Sequence, residues 1–255
     1  MPTPAADRTS PAARAAQLAP LRERPSESAI VLDVDGTLAP IVPRPELAAV
    51  PPATRVALAR LVERYLLVAC VSGRPGAEAE ALVGVPGIRA IGNHGLELDP
   101  RAADLARGIA AFREEIEPRW PIEDKRLSLS LHYRDVADET VALAGLTEIA
   151  ELAREQGLEA RWGRKVLEIR PAHATDKGVA VSALVQASGA RLGLFAGDDA
   201  TDVDAFRGLA ALPLDHAVAV GVLSPEAPRS LYTTATLLVE GTEGLRALLD
   251  ELGAC

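Results

Sequence analysis

Short apolar runs alternate with helical patterns along most of the chain, and this alternation constrains the fold more than any other feature. The runs AIVLD, LLVACVSG and GIRAIGNHG read as buried strands in the first hundred residues. After a helical pattern at 175–187, the same alternation resumes with RLGLFAG, AVAVGV and TLLVE. Strands that alternate with helices indicate βαβ units, so the sequence predicts an α/β protein with a Rossmann-like parallel sheet.

A block of different character interrupts this pattern. RLSLSLHYR alternates leucine with serine or histidine, which is typical of a sheet with one covered face, and LEARWG with KVLEIRP predicts a hairpin turning at Gly163. We therefore expect a smaller α+β domain inserted into the parallel core. The predicted organisation is a flexible N-terminal tail at 1–26, a core at 27–98 and 174–255, and the inserted domain at 99–173.

Composition and charge argue against several classes of partner. A formal net charge of -9 disfavours binding to nucleic acid or an anionic membrane. No apolar stretch approaches the roughly 20 residues that span a bilayer. Cys70 and Cys255 form no CxxC motif, which favours a reducing compartment, and we expect a cytoplasmic monomer that binds a small molecule.

Four predicted strands end in polar loops. These loops are DVDGT at 33–37, SGR at 72–74, GNHG at 92–95 and GDDATD at 197–202. In open α/β sheets, ligands bind beyond the carboxyl ends of the strands. The loops are therefore expected to converge on one cleft.

The loops are rich in carboxylates, which are Asp33, Asp35, Asp198, Asp199 and Asp202. Clustered carboxylates must take up protons or bind a cation, and a set of oxygen ligands without clustered His or Cys suits Mg²⁺. Ser72, Gly73 and Lys177, with the backbone near Gly36, can hold phosphate oxygens.

Each feature taken alone has a simpler explanation. The first two aspartates can form a solvated turn, and GDDATD can cap a helix. Ser72 can also be a helix cap, and Lys177 can be a surface lysine. The constellation favours the functional interpretation over these separate ones.

In this order, DVDGTL, SGR, HATDKG and GDDATD resemble the four motifs of the haloacid dehalogenase superfamily of phosphotransferases. GNHGLEL, IEDKRLSLSLHYR and VLEIRP further resemble the trehalose-6-phosphate phosphatases, whose α/β cap is inserted between the second and third motifs. The resemblance runs from Ala29 to Glu251 and departs at Val203, where the family commonly has Glu.

The resemblance implies roles for the core residues. Asp33 matches the nucleophile, and Asp35 matches the general acid and base. Asp33, the backbone carbonyl of Asp35 and Asp198 match the protein ligands of Mg²⁺. Lys177 matches the cation that neutralises the reacting phosphate, and the surrounding positions are Thr37, Asp199 and Asp202.

The resemblance also implies a sugar site in the cap. Glu123, Lys125 and Glu168 match the family's acid-x-lysine pair and its later glutamate, and such groups can each bind several hydroxyls. A solvated sheet face with ordinary ion pairs is the alternative interpretation. Further candidates for substrate binding are Arg74, Asn93, His94, His132 and Arg134, while His173 and His216 are expected to be structural.

We therefore predict an Mg²⁺-dependent phosphatase that hydrolyses trehalose 6-phosphate through an aspartyl-phosphate. The nearest alternatives are phosphatases for other sugar phosphates, such as sucrose 6-phosphate or a mannosyl-glycerate phosphate. A non-catalytic sugar-phosphate sensor remains a third, although Asp33, Asp35 and Lys177 are all present. A phosphomutase is possible in principle, but nothing marks a second phosphate site.

Overall fold

The computed structural model describes residues 8–116, 121–134, 136–163, 165–172, 175–225 and 227–254. The chain divides into two compact units, Met1–Gly95 with Asp176–Cys255, which we call the core, and Leu96–Thr175, which we call the cap. The cap was expected at 99–173, and the expected division between a tail and the core at residue 26 has no counterpart in these two units. His173, Cys255 and the first seven residues of the expected tail lie outside the described residues.

The strands, in chain order, are β1 (Ser28–Leu32), β2 (Leu67–Val71), β3 (Arg89–Ile91), β4 (Ile122–Asp124), β5 (Leu129–His132), β6 (Leu158–Gly163), β7 (Val166–Pro171), β8 (Leu192–Gly197), β9 (His216–Leu223) and β10 (Leu237–Glu240). The helices, in chain order, are α1 (Pro11–Glu23), α2 (Pro52–Arg64), α3 (Gly76–Val83), α4 (Ala102–Glu115), α5 (Glu139–Glu155), α6 (Lys177–Ser188), α7 (Ala200–Ala210), α8 (Arg229–Thr234) and α9 (Gly241–Gly253).

The core is built on a parallel sheet in the order β10-β9-β8-β1-β2-β3. The central strand β1 is buried along its whole length, as expected for a parallel strand covered on both faces. Alternate strand residues such as Ile30 join the apolar layer under α1, α2 and α9. On the other face α6 contacts β1, and Phe206 of α7 packs edge-on against Phe195 of β8. The predicted α/β core with a parallel sheet is confirmed.

The N-terminal segment differs from the expected flexible tail, because residues 11–23 form helix α1. Ser10 caps the helix by accepting a hydrogen bond from the amide of Ala13, and Pro11 occupies its first position. Leu18 and Leu21, three residues apart on one face, are buried in the core. His216 lies 2.9 Å from the carbonyl of Gln17 in α1, in keeping with the structural role expected of it.

The cap contains an antiparallel sheet in the order β4-β5-β7-β6. The leucines of the predicted alternation, including Leu129 and Leu131, are buried with α4 and α5. Strand β4 was not predicted, because three residues are too short to show an alternating pattern. Glu123, Ser130 and Glu168 form a row on the opposite face of the sheet.

The helices and the cysteine of the described residues can be compared with the expected environment of the protein. Among the described residues, the structure has no helix that is long and apolar enough to cross a membrane. Cys70 is buried in β2 as a free thiol, and burial raises its pKa.

Candidate active site

The candidate site lies at the carboxyl edge of the core sheet, where β1 sits between β2 and β8. The chain winds outwards in opposite directions from β1, and such a switch point is the usual place for a ligand in an open α/β sheet. Leu32 pairs with Ala196, so Asp33 and Asp198 follow neighbouring strands at the same edge. Ser72 follows β2 at this edge as well.

Lys177 lies between two buried carboxylates at this edge. Its Nζ donates to Asp33 Oδ1 at 2.6 Å and to Asp202 Oδ1 at 2.7 Å. The exposed fractions of the three residues are 3% for Lys177, 4% for Asp33 and 0% for Asp202. The structure thus places Lys177 in a buried charge cluster rather than on the surface.

Burial and neighbouring charge act together on this cluster. Burial lowers the pKa of Lys177, but Asp202 and Asp33 more than offset it, so the pKa is raised and the side chain is an ammonium ion. Burial raises the pKa of Asp33 in spite of Lys177, and the charges of Asp202 and Asp198 add to this effect. Three carboxylates facing one ammonium leave an excess of negative charge.

Asp198 carries part of that excess. Its pKa is raised to about 7 by burial and by the charge of Asp202, although a hydrogen bond from the Thr37 hydroxyl to Oδ1 opposes the shift. Gly36 adjoins this carboxylate with a φ of 82°, and a Cβ there would collide with it. Glycine is therefore required at 36 for both backbone conformation and space.

The cluster has the composition of a site for a hard cation. Carboxylate oxygens of Asp33, Asp198 and Asp202 lie within 4.8 Å of one another. Asp202 is already engaged, because its Oδ1 accepts from Lys177 and its Oδ2 accepts from the amides of Asp198 and Asp199, both at 2.9 Å. Asp33 and Asp198 are therefore the side chains best able to ligate a metal ion, and oxygen-only donors suit Mg²⁺.

Asp35 and Arg74 form a bidentate ion pair beside this cluster. Arg74 Nε donates to Asp35 Oδ2 and Nη2 donates to Oδ1, both at 2.7 Å. Arg74 was expected to bind substrate, and in the structure its guanidinium pairs with Asp35, the expected acid and base. No sequence feature predicted this pairing, since 39 residues separate the two.

The remaining loops are joined by backbone hydrogen bonds. The amide of Asn93 donates to the carbonyl of Arg74, and that of His94 to the carbonyl of Ser72, at 2.9 and 2.8 Å. A Cβ on Gly73 would lie 2.7 Å from the His94 ring, so this ring covers the SGR loop. Asn93 and His94 both have positive φ, which marks the loop as strained.

Asp199 and Ser72 were both considered as possible helix caps. Asp199 caps α7 in a capping box with Asp202, so the alternative interpretation of GDDATD as a helix cap holds alongside the charge cluster. Ser72 does not cap α3, because its Oγ accepts from the amide of Arg74 at 3.1 Å. Val203, where the family pattern has Glu, is buried in α7.

The predicted sugar-binding residues share the polar face of the cap sheet. Glu123 lies opposite Ser130, and Ser130 lies opposite Glu168, so the two glutamates belong to one row. His132 Nε2 lies 3.0 Å from Glu123 Oε2, and Lys125 Nζ lies 3.8 Å from the same oxygen. Arg134 is exposed after β5.

The same row contains a residue that the sequence reasoning missed. Arg161 of β6 lies opposite Glu168, and its Nε donates to Glu159 at 2.9 Å. The register of the predicted hairpin turning at Gly163 was the signal that would have found it. The polar face therefore mixes carboxylates with cations, an arrangement suited to a neutral, hydroxyl-rich ligand.

Comparisons with known proteins identify the family. The family model for trehalose-phosphatase matches residues 31–107 and 110–235. A trehalose-phosphate phosphatase of Mycobacterium avium is 35% identical over 198 residues, which are 70% of this chain and 50% of that protein. A protein of Mycobacterium tuberculosis described as an uncharacterized glycosyl hydrolase is 34% identical over 200 residues, which are 70% of this chain and 15% of that protein.

The chain thus spans half or less of the length of these curated relatives. Among solved structures, the C-terminal domain of trehalose-6-phosphate phosphatase from C. albicans superposes with a TM-score of 0.69 at 21% identity, covering 94% of this chain and 96% of that chain. At this identity the likeness shows the fold alone. Helices α1 and α9 lie outside the residues that the family model matches.

Proposed function

The chain belongs to the trehalose-phosphatase family, and we propose that it hydrolyses trehalose 6-phosphate to trehalose and phosphate with the help of Mg²⁺. The observation that carries the proposal is that buried Asp33 and Lys177 lie with half-buried Asp198 at the switch point of the sheet. A buried ammonium beside carboxylates with free oxygens can hold both a metal ion and a phosphoryl group.

In the proposed reaction, Asp33 is the nucleophile. One of its oxygens forms a bond to phosphorus while the bond from phosphorus to the sugar oxygen breaks, giving an aspartyl-phosphate. Lys177, already within hydrogen-bond distance of Asp33, offsets the negative charge that the phosphoryl group brings. Bound at Asp33, Asp198 and the Asp35 carbonyl, Mg²⁺ would neutralise charge on the phosphoryl oxygens.

Asp35 transfers protons in both halves of the reaction. It gives a proton to the departing sugar oxygen and then takes one from the water that attacks the aspartyl-phosphate. The second step releases phosphate and restores the Asp33 carboxylate. We assign sugar recognition to the cap residues Glu123, Lys125 and Glu168, supported by His132 and Arg134.

A panel of sugar phosphates tests the substrate. Phosphate release is measured for trehalose 6-phosphate, sucrose 6-phosphate, a mannosyl-glycerate phosphate and p-nitrophenyl phosphate, with Mg²⁺ and with EDTA. We expect the highest kcat/KM for trehalose 6-phosphate and loss of turnover in EDTA. Equal kcat/KM values for the three sugar phosphates would contradict the assignment of trehalose 6-phosphate as the substrate. Binding of a sugar phosphate without any phosphate release would instead favour a sensor.

Two sets of variants divide the chemistry from the recognition. Asp33→Asn removes the nucleophile and should abolish turnover of every substrate while leaving the fold intact. Glu123→Ala and Lys125→Ala should lower kcat/KM for trehalose 6-phosphate and leave that for p-nitrophenyl phosphate unchanged. Wild-type turnover by Asp33→Asn would refute the assignment of Asp33 as the nucleophile.

A further inference from the structure

Arg74 joins two parts of the core that the proposed reaction depends on. Besides the bidentate pair with Asp35, its Nη2 donates to the carbonyl of Pro45 at 3.2 Å. Pro45 lies in the segment 40–49 that follows the DVDGT loop, which we call the flap loop. One guanidinium group therefore contacts both the expected acid and base and the flap loop.

We propose that Arg74 is a positioning residue, which fixes the orientation of the Asp35 carboxylate and holds the flap loop to it, and that it does not contact the substrate. This inference rests on the proposed function, because Asp35 is there the group that moves protons. It replaces our expectation that Arg74 binds substrate.

The geometry of the pair supports orientation rather than charge alone. A guanidinium fork that engages both oxygens fixes the plane of a carboxylate, and the oxygens keep further lone pairs for a proton. A lysine ammonium supplies the same charge without the fork. Proton transfer depends on distance and alignment, so a carboxylate free to rotate is a poorer catalyst.

Arg74 is itself firmly held. Its amide donates to Ser72 Oγ at 3.1 Å, and its carbonyl accepts from the amide of Asn93 at 2.9 Å. Its side chain is only 16% exposed. A residue fixed at its backbone and partly buried along its side chain can transmit that rigidity to its partners.

The flap loop, by contrast, is exposed. Ile41 and Leu47 are 67% and 55% exposed, and the carbonyl of Pro45 accepts both from Arg74 and from the amide of Ala48. Exposed loops with few buried contacts open readily. Removing the Arg74 bond should therefore loosen the local turn that contains Leu47 and Ala48.

Kinetics of three variants test the orienting role. Arg74→Ala should lower kcat about 10- to 100-fold with little change in KM, and Arg74→Lys should be nearly as slow because it lacks the fork. The control Arg44→Ala removes an exposed arginine of the same loop and should behave as wild type. A raised KM with unchanged kcat would show direct substrate contact, and full activity of Arg74→Lys would show that charge alone matters; either result overturns the proposal.

A double variant tests whether Arg74 acts through Asp35. If it does, Arg74→Ala combined with Asp35→Asn should be no slower than Asp35→Asn alone. If the rate reduction in the double variant equalled the product of the two single reductions, the two side chains would act independently and the proposal would be refuted. The comparison uses the first turnover of p-nitrophenyl phosphate, measured as the burst of p-nitrophenolate, because that leaving group departs without a proton and the later attack of water, which also needs Asp35, is not part of the burst.

Hydrogen exchange tests the link to the flap loop without any substrate. Amides of Leu47 and Ala48 should exchange faster in Arg74→Ala than in wild type or Arg44→Ala, with α5 unchanged as an internal control. Unaltered exchange in the flap loop would refute the coupling. If wild type fails to hydrolyse trehalose 6-phosphate, the proposed function fails, whereas exchange and p-nitrophenyl phosphate kinetics still decide the role of Arg74.

Discussion

Lys177 compensates two buried carboxylates, and its removal should be costly. Lys177→Met leaves Asp33 and Asp202 buried without their cation, and breaking a buried ion pair in this way destabilises a protein by about 3–5 kcal/mol. We expect the free energy of unfolding in EDTA, measured by urea denaturation, to fall by that amount.

Lys165 provides the matched control for this substitution. It pairs with Glu139 on the surface, where its side chain is 38% exposed. Lys165→Met should change the free energy of unfolding by less than about 1 kcal/mol. If the free energy of unfolding fell equally in the two variants, burial of the Lys177 ion pairs would add nothing to their contribution to stability.

Gly36 should be required for metal binding. Gly36→Ala places a methyl group against the Asp198 carboxylate and strains a residue whose φ is 82°. Displacement of Asp198 should weaken Mg²⁺ binding at least about tenfold, as found when the surroundings of metal ligands are disturbed. Isothermal titration with Mg²⁺ measures the change.

Gly189 separates the two effects in that variant. It has a φ of 73°, but a Cβ there meets no atom within 4 Å. Gly189→Ala should cost about 1–2 kcal/mol of stability from backbone strain and leave Mg²⁺ affinity unchanged. If Gly36→Ala binds Mg²⁺ as tightly as Gly189→Ala does, Asp198 is not a ligand.

At the residue scale, the sequence predicted groups that follow strand ends and missed pairings that depend on side-chain direction. Asp33 and Asp198 could be placed together because parallel strands end at one edge. The Arg74 pair could not be predicted, because a long side chain can reach several groups from the same backbone position. Arg161, by contrast, was predictable, because the register of the hairpin that turns at Gly163 places it opposite Glu168.

At the scale of elements, helix α1 should stabilise the core although it was expected to be a flexible tail. Leu18→Ala and Leu21→Ala each remove a buried side chain and should lower the free energy of unfolding by about 2–5 kcal/mol. Glu23→Ala, at an exposed position of the same helix, is the control and should have little effect. Thermal and urea denaturation measure the differences, and unchanged unfolding of both leucine variants would show that the helix is not docked.

The signals for α1 were present but outweighed by composition. Ser10 and Pro11 form a good helix start, and the two buried leucines are three residues apart. Prolines and alanines nonetheless make the segment resemble a disordered tail. In the cap, by contrast, the serine and leucine alternation of β5 was long enough to predict both the strand and its buried face.

At the scale of the whole molecule, the excess of carboxylates makes folding stability depend on pH. The pKa of Asp198 is about 7 in the folded state, against about 4 in an unfolded chain. Between these values the folded protein holds more protons, so the free energy of unfolding falls as pH rises from 4 to 7. The raised pKa of Asp33 acts in the same direction.

Three other carboxylates with shifted pKa values leave most of this window unchanged. Arginine hydrogen bonds lower the pKa values of Glu27, Asp99 and Asp215, so the stability that they contribute is present above about pH 4.5 and is lost as the pH falls below their ordinary pKa values. In EDTA we therefore expect Tm to be higher at pH 5 than at pH 8. Asp198→Asn cannot titrate and should reduce this difference.

Mg²⁺ should counteract that dependence. A metal ion competes with protons for the carboxylates, so it binds more tightly once they are ionised. A ligand that binds only the folded state raises stability, and it does so more where it binds more tightly. Saturating Mg²⁺ should therefore increase Tm more at pH 8 than at pH 5. Differential scanning fluorimetry at both pH values, with EDTA and with Mg²⁺, measures the effect. An equal increase at the two pH values, or an increase that survives Asp198→Asn, would show that the cation binds away from the Asp33 and Asp198 carboxylates.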